Sequence, residues 1–190
     1  GANSKLPKDI SVIWALNVDD NFHARFTAEN RTYQYLILNR RSRPAIFNGL
    51  VTWECQELDF KRMVDSSKYL IGEHDFTSFR AVSCQSDTPI RKIYELEIGK
   101  LDDLFVITIR ANGFLHHMVR NIAGVLIAVG SGKEKIKWVA DVLEARDRAV
   151  AGVTAEPDGL YLVNVEYPER YLIPKPKKLI DNFKFSCLEN

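Results

Sequence analysis

Residues 92–129 read KIYELEIGKLDDLFVITIRANGFLHHMVRNIAGVLIAV. Polar and apolar residues alternate along Lys92–Gly99 and again along Leu104–Ala111, with a polar turn at Lys100–Asp103 between them. Period-two alternation on both sides of a short polar turn predicts an antiparallel hairpin. The second strand runs through Gly113 into a helix that ends near Val129, where Gly130, Ser131 and Gly132 stop it. From Ile122 onward that helix is apolar on nearly every side, the mark of a buried helix.

The rest of the chain extends this pattern on both sides. Ser11–Val18 (SVIWALNV) is a compact apolar run that predicts a strand, and Arg31–Asn39 (RTYQYLILN) predicts a second. Along the latter, Tyr33, Tyr35 and Ile37 share one face and Gln34, Leu36 and Leu38 the other. Leu58–Ile71 has helical spacing, with Asp59 as N-cap and Gly72 just past the end. Glu73–Arg80 has neither period and is read as a loop anchored by Phe76 and Phe79. A further helix is expected over about 136–145 and a last strand over Gly159–Tyr167, with Tyr161, Val163, Val165 and Tyr167 on one face. The order β, β, α, β, β, α, α, β predicts an α+β domain, a mainly antiparallel sheet covered by helices on one side.

Composition narrows the class. The chain has 190 residues, 46% hydrophobic and 27% charged, enough for a real core. The net charge of +1 carries no nucleic-acid signature, so any basic surface must come from local clustering. Cys55, Cys84 and Cys187 are odd in number and far apart, which argues against disulfides and zinc and for a reducing, cytoplasmic setting. No run is long and apolar enough to span a membrane, and the start has no signal-peptide pattern. The opening GANSKLP lacks an initiating Met and reads as the continuation of a longer protein.

One residue does not fit a plain buried helix. Arg120 sits one turn before the all-apolar stretch. A guanidinium there either snorkels to solvent, pairs structurally, or holds a functional carboxylate or phosphate. The residues alone leave these open. His116 and His117 are adjacent and point about 100° apart on a helix, poor geometry for one metal.

At these residues a family resemblance appears. FLHHMVRNIAG (114–124) resembles the F-x-H-x-M-V-R-N-I-x-G motif of TruA-type tRNA pseudouridine synthases. Five further segments agree in order. NSKLPKDI (3–10) resembles N-x-x-LP-x-DI, and DNFHARF (20–26) resembles D-F-x-A-R-F. RTYQY (31–35) resembles R-x-Y-x-Y, GEHDFTSF (72–79) resembles G-x-H-D-F-x-S-F, and GLYL (159–162) resembles G-L-x-L. Any one is weak; six in order are specific.

The resemblance implies a pseudouridine synthase fold, of which this chain would be the C-terminal half. Residues 1–28 would be the end of an N-terminal domain and a connecting strand, and 29–190 the RNA-binding, catalytic-cleft domain. The implied reaction is isomerisation of uridine to pseudouridine in the tRNA anticodon stem-loop, at tRNA positions 38 to 40, by a homodimer with no cofactor and no metal. The family's essential aspartate lies in a G-R-T-D-x-G-V-H motif upstream of the LP-x-DI segment, and no such motif occurs here. The chain alone is therefore expected to be inactive.

By the same resemblance, Arg120 is the partner of that aspartate, Tyr33 contacts the target base, and Leu160 lines the pocket beneath it. A ring can stack on a flipped uracil and its hydroxyl can orient or move a proton. Otherwise a tyrosine or leucine on a strand is ordinary core. Arg25, Arg40, Arg41, Arg43 and Arg80, in or beside loops, are candidate phosphate contacts, as are His116 and His117 at a helix start. Lys175, Lys177 and Lys178 could extend the basic track. Two rival readings remain: a non-catalytic RNA-binding module of the same descent, and an interaction domain with a vestigial pocket.

Overall fold

The computed structural model describes residues 1–175. It contains strands β1 (Asn30–Asn39), β2 (Thr52–Glu54), β3 (Gly72–Asp75), β4 (Ile90–Leu101), β5 (Leu104–Ala111) and β6 (Leu160–Glu166). The helices are α1 (Phe60–Ser67), α2 (Met118–Gly130) and α3 (Trp138–Ala145), with short 3-10 turns between elements. The sheet order is β2-β1-β5-β4-β3, and β6 also pairs with β1. Residues 30–35 of β1 face β6 and residues 37–39 face β2, so these two strands share one edge of β1. All pairings are antiparallel except β1 with β2. The α+β expectation holds.

The helices close over one face. Tyr35 and Ile37 of β1 and Phe105, Ile107, Ile109 and Ala111 of β5 join Met63 of α1, Ile122, Val125, Leu126 and Val129 of α2 and Val139 of α3 in one core. The period-two pattern of β1 and β5 fixes this face without interruption. In β4 a bulge between Ile93 and Glu95 breaks the alternation, so Ile93 and Leu96 both reach the core while Tyr94 turns outward. The open face carries Gln34, which donates to Thr108 Oγ1 at 3.3 Å, and Arg110, paired with Glu95 at 3.1 Å.

Several expectations need correction. Ser11–Val18 is not a strand. A strand needs a partner for its backbone groups, and Val12 instead exchanges two hydrogen bonds with the Asn3 side chain. Its apolar side chains stay exposed, Ile13 at 90%. Glu73–Arg80 is only partly loop: residues 72–75 pair with β4 as β3, and Thr77–Phe79 form a 3-10 turn. Phe76 and Phe79 do anchor it, both fully buried. The short strand β2 was not anticipated, having too few residues to show a period. The 58–71 helix is α-helical only over α1, where the Asp59 side chain accepts from Arg62 N at 3.0 Å, and ends in a 3-10 turn before Gly72 at φ +106°. In β6 a register shift opposite Thr32/Tyr33 leaves Tyr161 and Val165 on opposite faces rather than one, and sets Leu160 and Leu162 on the face of Tyr35 and Tyr33. Lys175 is exposed; Lys177 and Lys178 lie outside the described residues.

Candidate functional site

The first turn of α2 organises the site. Arg120 is half-buried and donates from Nε to the Ala155 carbonyl at 2.7 Å, while Ala155 N donates back to the Arg120 carbonyl at 3.2 Å. Asn121, fully buried, donates to the Phe79 carbonyl at 2.7 Å and accepts from Thr154 Oγ1 at 2.7 Å and Arg148 Nη2 at 3.2 Å. Gly124 lies against residues 153–155: a Cβ there would stand 3.4 Å from Ala155 N and 3.3 Å from the Val153 carbonyl carbon, and would overlap the Val153 oxygen. So Arg120, Asn121 and Gly124 of the R-N-I-x-G run bind the loop before β6 to the helix. They are scaffold as well as candidate chemistry.

Tyr35 pins the same loop from below. Its buried hydroxyl donates to the Glu156 carbonyl at 2.6 Å and meets Thr52 Oγ1 at 2.5 Å. Burial pushes its pKa up to about 12, partly offset by the Thr52 bond and the Arg120 charge. Arg120 meets no carboxylate within 4.0 Å, and its two terminal amino groups make no hydrogen bond, among the described residues.

Tyr33 lies two residues from Tyr35 on the same face of β1. Its ring packs edge-on against Phe114, centroids 5.0 Å apart. Leu160 pairs opposite Tyr35 and packs against the core, while Leu162 pairs opposite Tyr33 and is 52% exposed. Leu162 is therefore the apolar side chain across the strands from Tyr33, which the motif alone did not single out. Tyr33 and Phe114 also line a cleft of about 380 Å³, with Arg25, Arg31, Arg91 and Gly113 around it.

The candidate arginine contacts fall into three places. Arg25 is exposed and lines the cleft beside Tyr33. Arg40, Arg41 and Arg43 are exposed beyond the far end of β1; at ~3.3 Å per residue, Arg40 is roughly 23 Å along from Tyr33. They do not join the cleft. Arg80 lies near Cys84. Burial pushes the Cys84 thiol up, but the backbone N–H groups of His116 and Ser86 and the charges of Arg80 and Arg91 hold it below its ordinary value.

His116 and His117 precede α2 rather than begin it, because His117 adopts a left-handed conformation (φ +62°) as its N-cap. Their rings stand 4.0 Å apart, and the His116 N–H already points at Cys84 Sγ. His117 is held below the usual imidazole pKa, first by burial and then by His116, Arg120 and Arg148. No group of three or more His, Cys, Asp or Glu could hold a metal, and no helix is long and apolar enough to cross a membrane, among the described residues.

The family profile described as tRNA pseudouridine synthase matches residues 67–168, from the end of α1 through β6. The chain is 53% identical over 175 residues to tRNA pseudouridine synthase A of Nitrosococcus oceani, covering 92% of this chain and 68% of that protein. It is 52% identical over 175 residues to the protein of the same name from Coxiella burnetii, covering 92% and 67%. For that of Legionella pneumophila the identity is 54% over 171 residues, covering 90% and 65%. The chain thus spans about two thirds of the length of these relatives, and it belongs to the tRNA pseudouridine synthase family of isomerases.

Proposed function

We propose that this chain is the RNA-gripping, C-terminal portion of an enzyme that isomerises uridine to pseudouridine in the anticodon stem-loop of tRNA. Residues 29–175 would form the catalytic-cleft domain and residues 1–28 a connector from a domain that supplies the nucleophilic aspartate. The observation that carries this reading is Arg120. It is fixed through Nε, and its terminal amino groups are left without a partner among the described residues. A planar fork held in that way suits a carboxylate, which it would keep ionised and oriented for attack. Tyr33 would stack on the flipped base, with Leu160 and Leu162 beneath it. By the same resemblance the enzyme works as a cytoplasmic homodimer on tRNA.

The test uses anticodon stem-loop RNA and nucleoside chromatography. The 190-residue chain alone yields no pseudouridine; a polypeptide joining it to a G-R-T-D-x-G-V-H segment does. In that active form, Arg120→Ala and Arg120→Lys both lower the rate by orders of magnitude. An unchanged rate for Arg120→Lys in a folded protein would return Arg120 to a scaffold role. Tight stem-loop binding with no turnover by the joined polypeptide would favour the non-catalytic RNA-binding module.

A further inference from the structure

The cleft beside Tyr33 gathers cations without counter-charges. Arg25, Arg31 and Arg91 all line it, and none has a carboxylate within 4.0 Å among the described residues. Neutral oxygens occupy part of their donors. Arg31 donates to the Arg25 carbonyl and, at 3.2 Å, to the Asn112 carbonyl. Arg91 donates to the carbonyls of Thr88 at 3.0 Å and Ile90 at 2.5 Å, and to Ser86 Oγ at 2.6 Å. Such bonds fix the plane of a guanidinium and leave its charge in place.

Arg91 is part-buried; burial makes its protonation less favourable than usual, the Cys84 thiol partly offsets this, and the charge of Arg31 adds to it. Both cations line the same cleft. A structural arginine so placed ordinarily has a carboxylate beside it. Here the lining of the cleft offers aromatic groups, Tyr33 and Phe114, and no carboxylate. Arginine forks next to ring faces match one ligand chemistry, a phosphate joined to a base.

We propose that Arg31 and Arg91 together hold a backbone phosphate of the bound RNA, adjacent to the nucleotide received against Tyr33 and Phe114. This rests on the RNA-modifying function proposed above and adds two residues and a ligand group to it. The phosphate anchors the strand so that one base is presented to Tyr33. It is sequence-independent, so it sets position and leaves base choice to the pocket.

The experiment measures binding of the 190-residue chain to an anticodon stem-loop by fluorescence anisotropy across a salt series. Arg31→Gln and Arg91→Gln each reduce the slope of log Kd against log salt, by at most about 0.7–0.9, the value for one neutralised phosphate. Each weakens stem-loops carrying uridine or cytidine at the target site alike. Arg91→Lys keeps the slope, since the charge remains, while losing affinity with the fork. Melting curves verify folding, and if Arg91→Gln melts early, Arg31→Gln carries the test.

Unchanged slopes in folded variants overturn the phosphate assignment while leaving the wider function standing. Inorganic phosphate that displaces the RNA more than chloride does at equal ionic strength would assign the cleft to a free anion and likewise overturn it. A wild-type chain that binds no stem-loop, alone or joined to the G-R-T-D-x-G-V-H segment, would sink the function itself.

Discussion

Gly124→Ala sets helix propensity against tertiary packing, and the two predict opposite signs. Gly124 lies in the middle of α2. In a free helix surface, Ala would stabilise by about 1 kcal/mol. Here the new methyl would overlap the Val153 carbonyl oxygen and press on Ala155 N at 3.4 Å. Backbone cannot swing aside like a flexible side chain, so the 153–155 loop must lift from α2. That breaks the two bonds between Arg120 and Ala155. An amide bond contributes about 1 kcal/mol and a guanidinium–carbonyl bond about 1.5–3. Offset by the propensity gain, the net loss is roughly 1.5–3 kcal/mol. For a chain of this size that lowers Tm by roughly 3–12 °C. Calorimetry or circular dichroism on the purified chain measures it, and stem-loop affinity should fall in parallel as Arg120 loses its anchor. A variant as stable as the wild type, or more so, would refute the claim that Gly124 is required for loop contact.

Further outcomes follow from the titrating groups. Tyr35 prefers its neutral form in the fold, so its contribution is complete below the unfolded value near 10 and is lost as pH rises toward about 12. Absorbance at 295 nm should show a tyrosine that ionises only toward pH 12, and Tyr35→Phe should remove that late phase while costing ~1–3 kcal/mol for the unpaired Glu156 carbonyl and Thr52 hydroxyl. His117 has a lowered pKa, so its neutral form is favoured above the unfolded value near 6.5 and stability falls as pH drops through the folded value. Phosphate nearby reverses that preference, so stem-loop affinity should rise on acidification through the same range, and His117→Gln should flatten the profile.

Much of this architecture was legible because one face of each element is buried. The alternation of β1 put Tyr33, Tyr35 and Ile37 on one face, that of β5 marked a strand, and Asp59 announced its cap. Where a bulge intervenes, alternation misleads: β4 and β6 each change face midway. Ser11–Val18 shows the limit of an apolar run, since hydrophobicity marks a surface in need of cover without naming a backbone partner. The motifs located Tyr33, Leu160 and Arg120 but not Leu162, Arg91 or the Gly124 contact, which depend on neighbours far away in sequence.

The sequence by itself determined the α+β class, the hairpin leading into a buried helix, and, through six ordered motifs, the family. These depend on local periodicity and on residue identity. Only the tertiary structure decided that Arg120 is held through Nε with its terminal amino groups unpartnered, and that Arg40, Arg41 and Arg43 lie away from the cleft. It also brought Arg31 and Arg91 to the side of Tyr33. Which charges meet, and which are left without a partner, is a property of strand register and loop packing, and a linear pattern does not contain it.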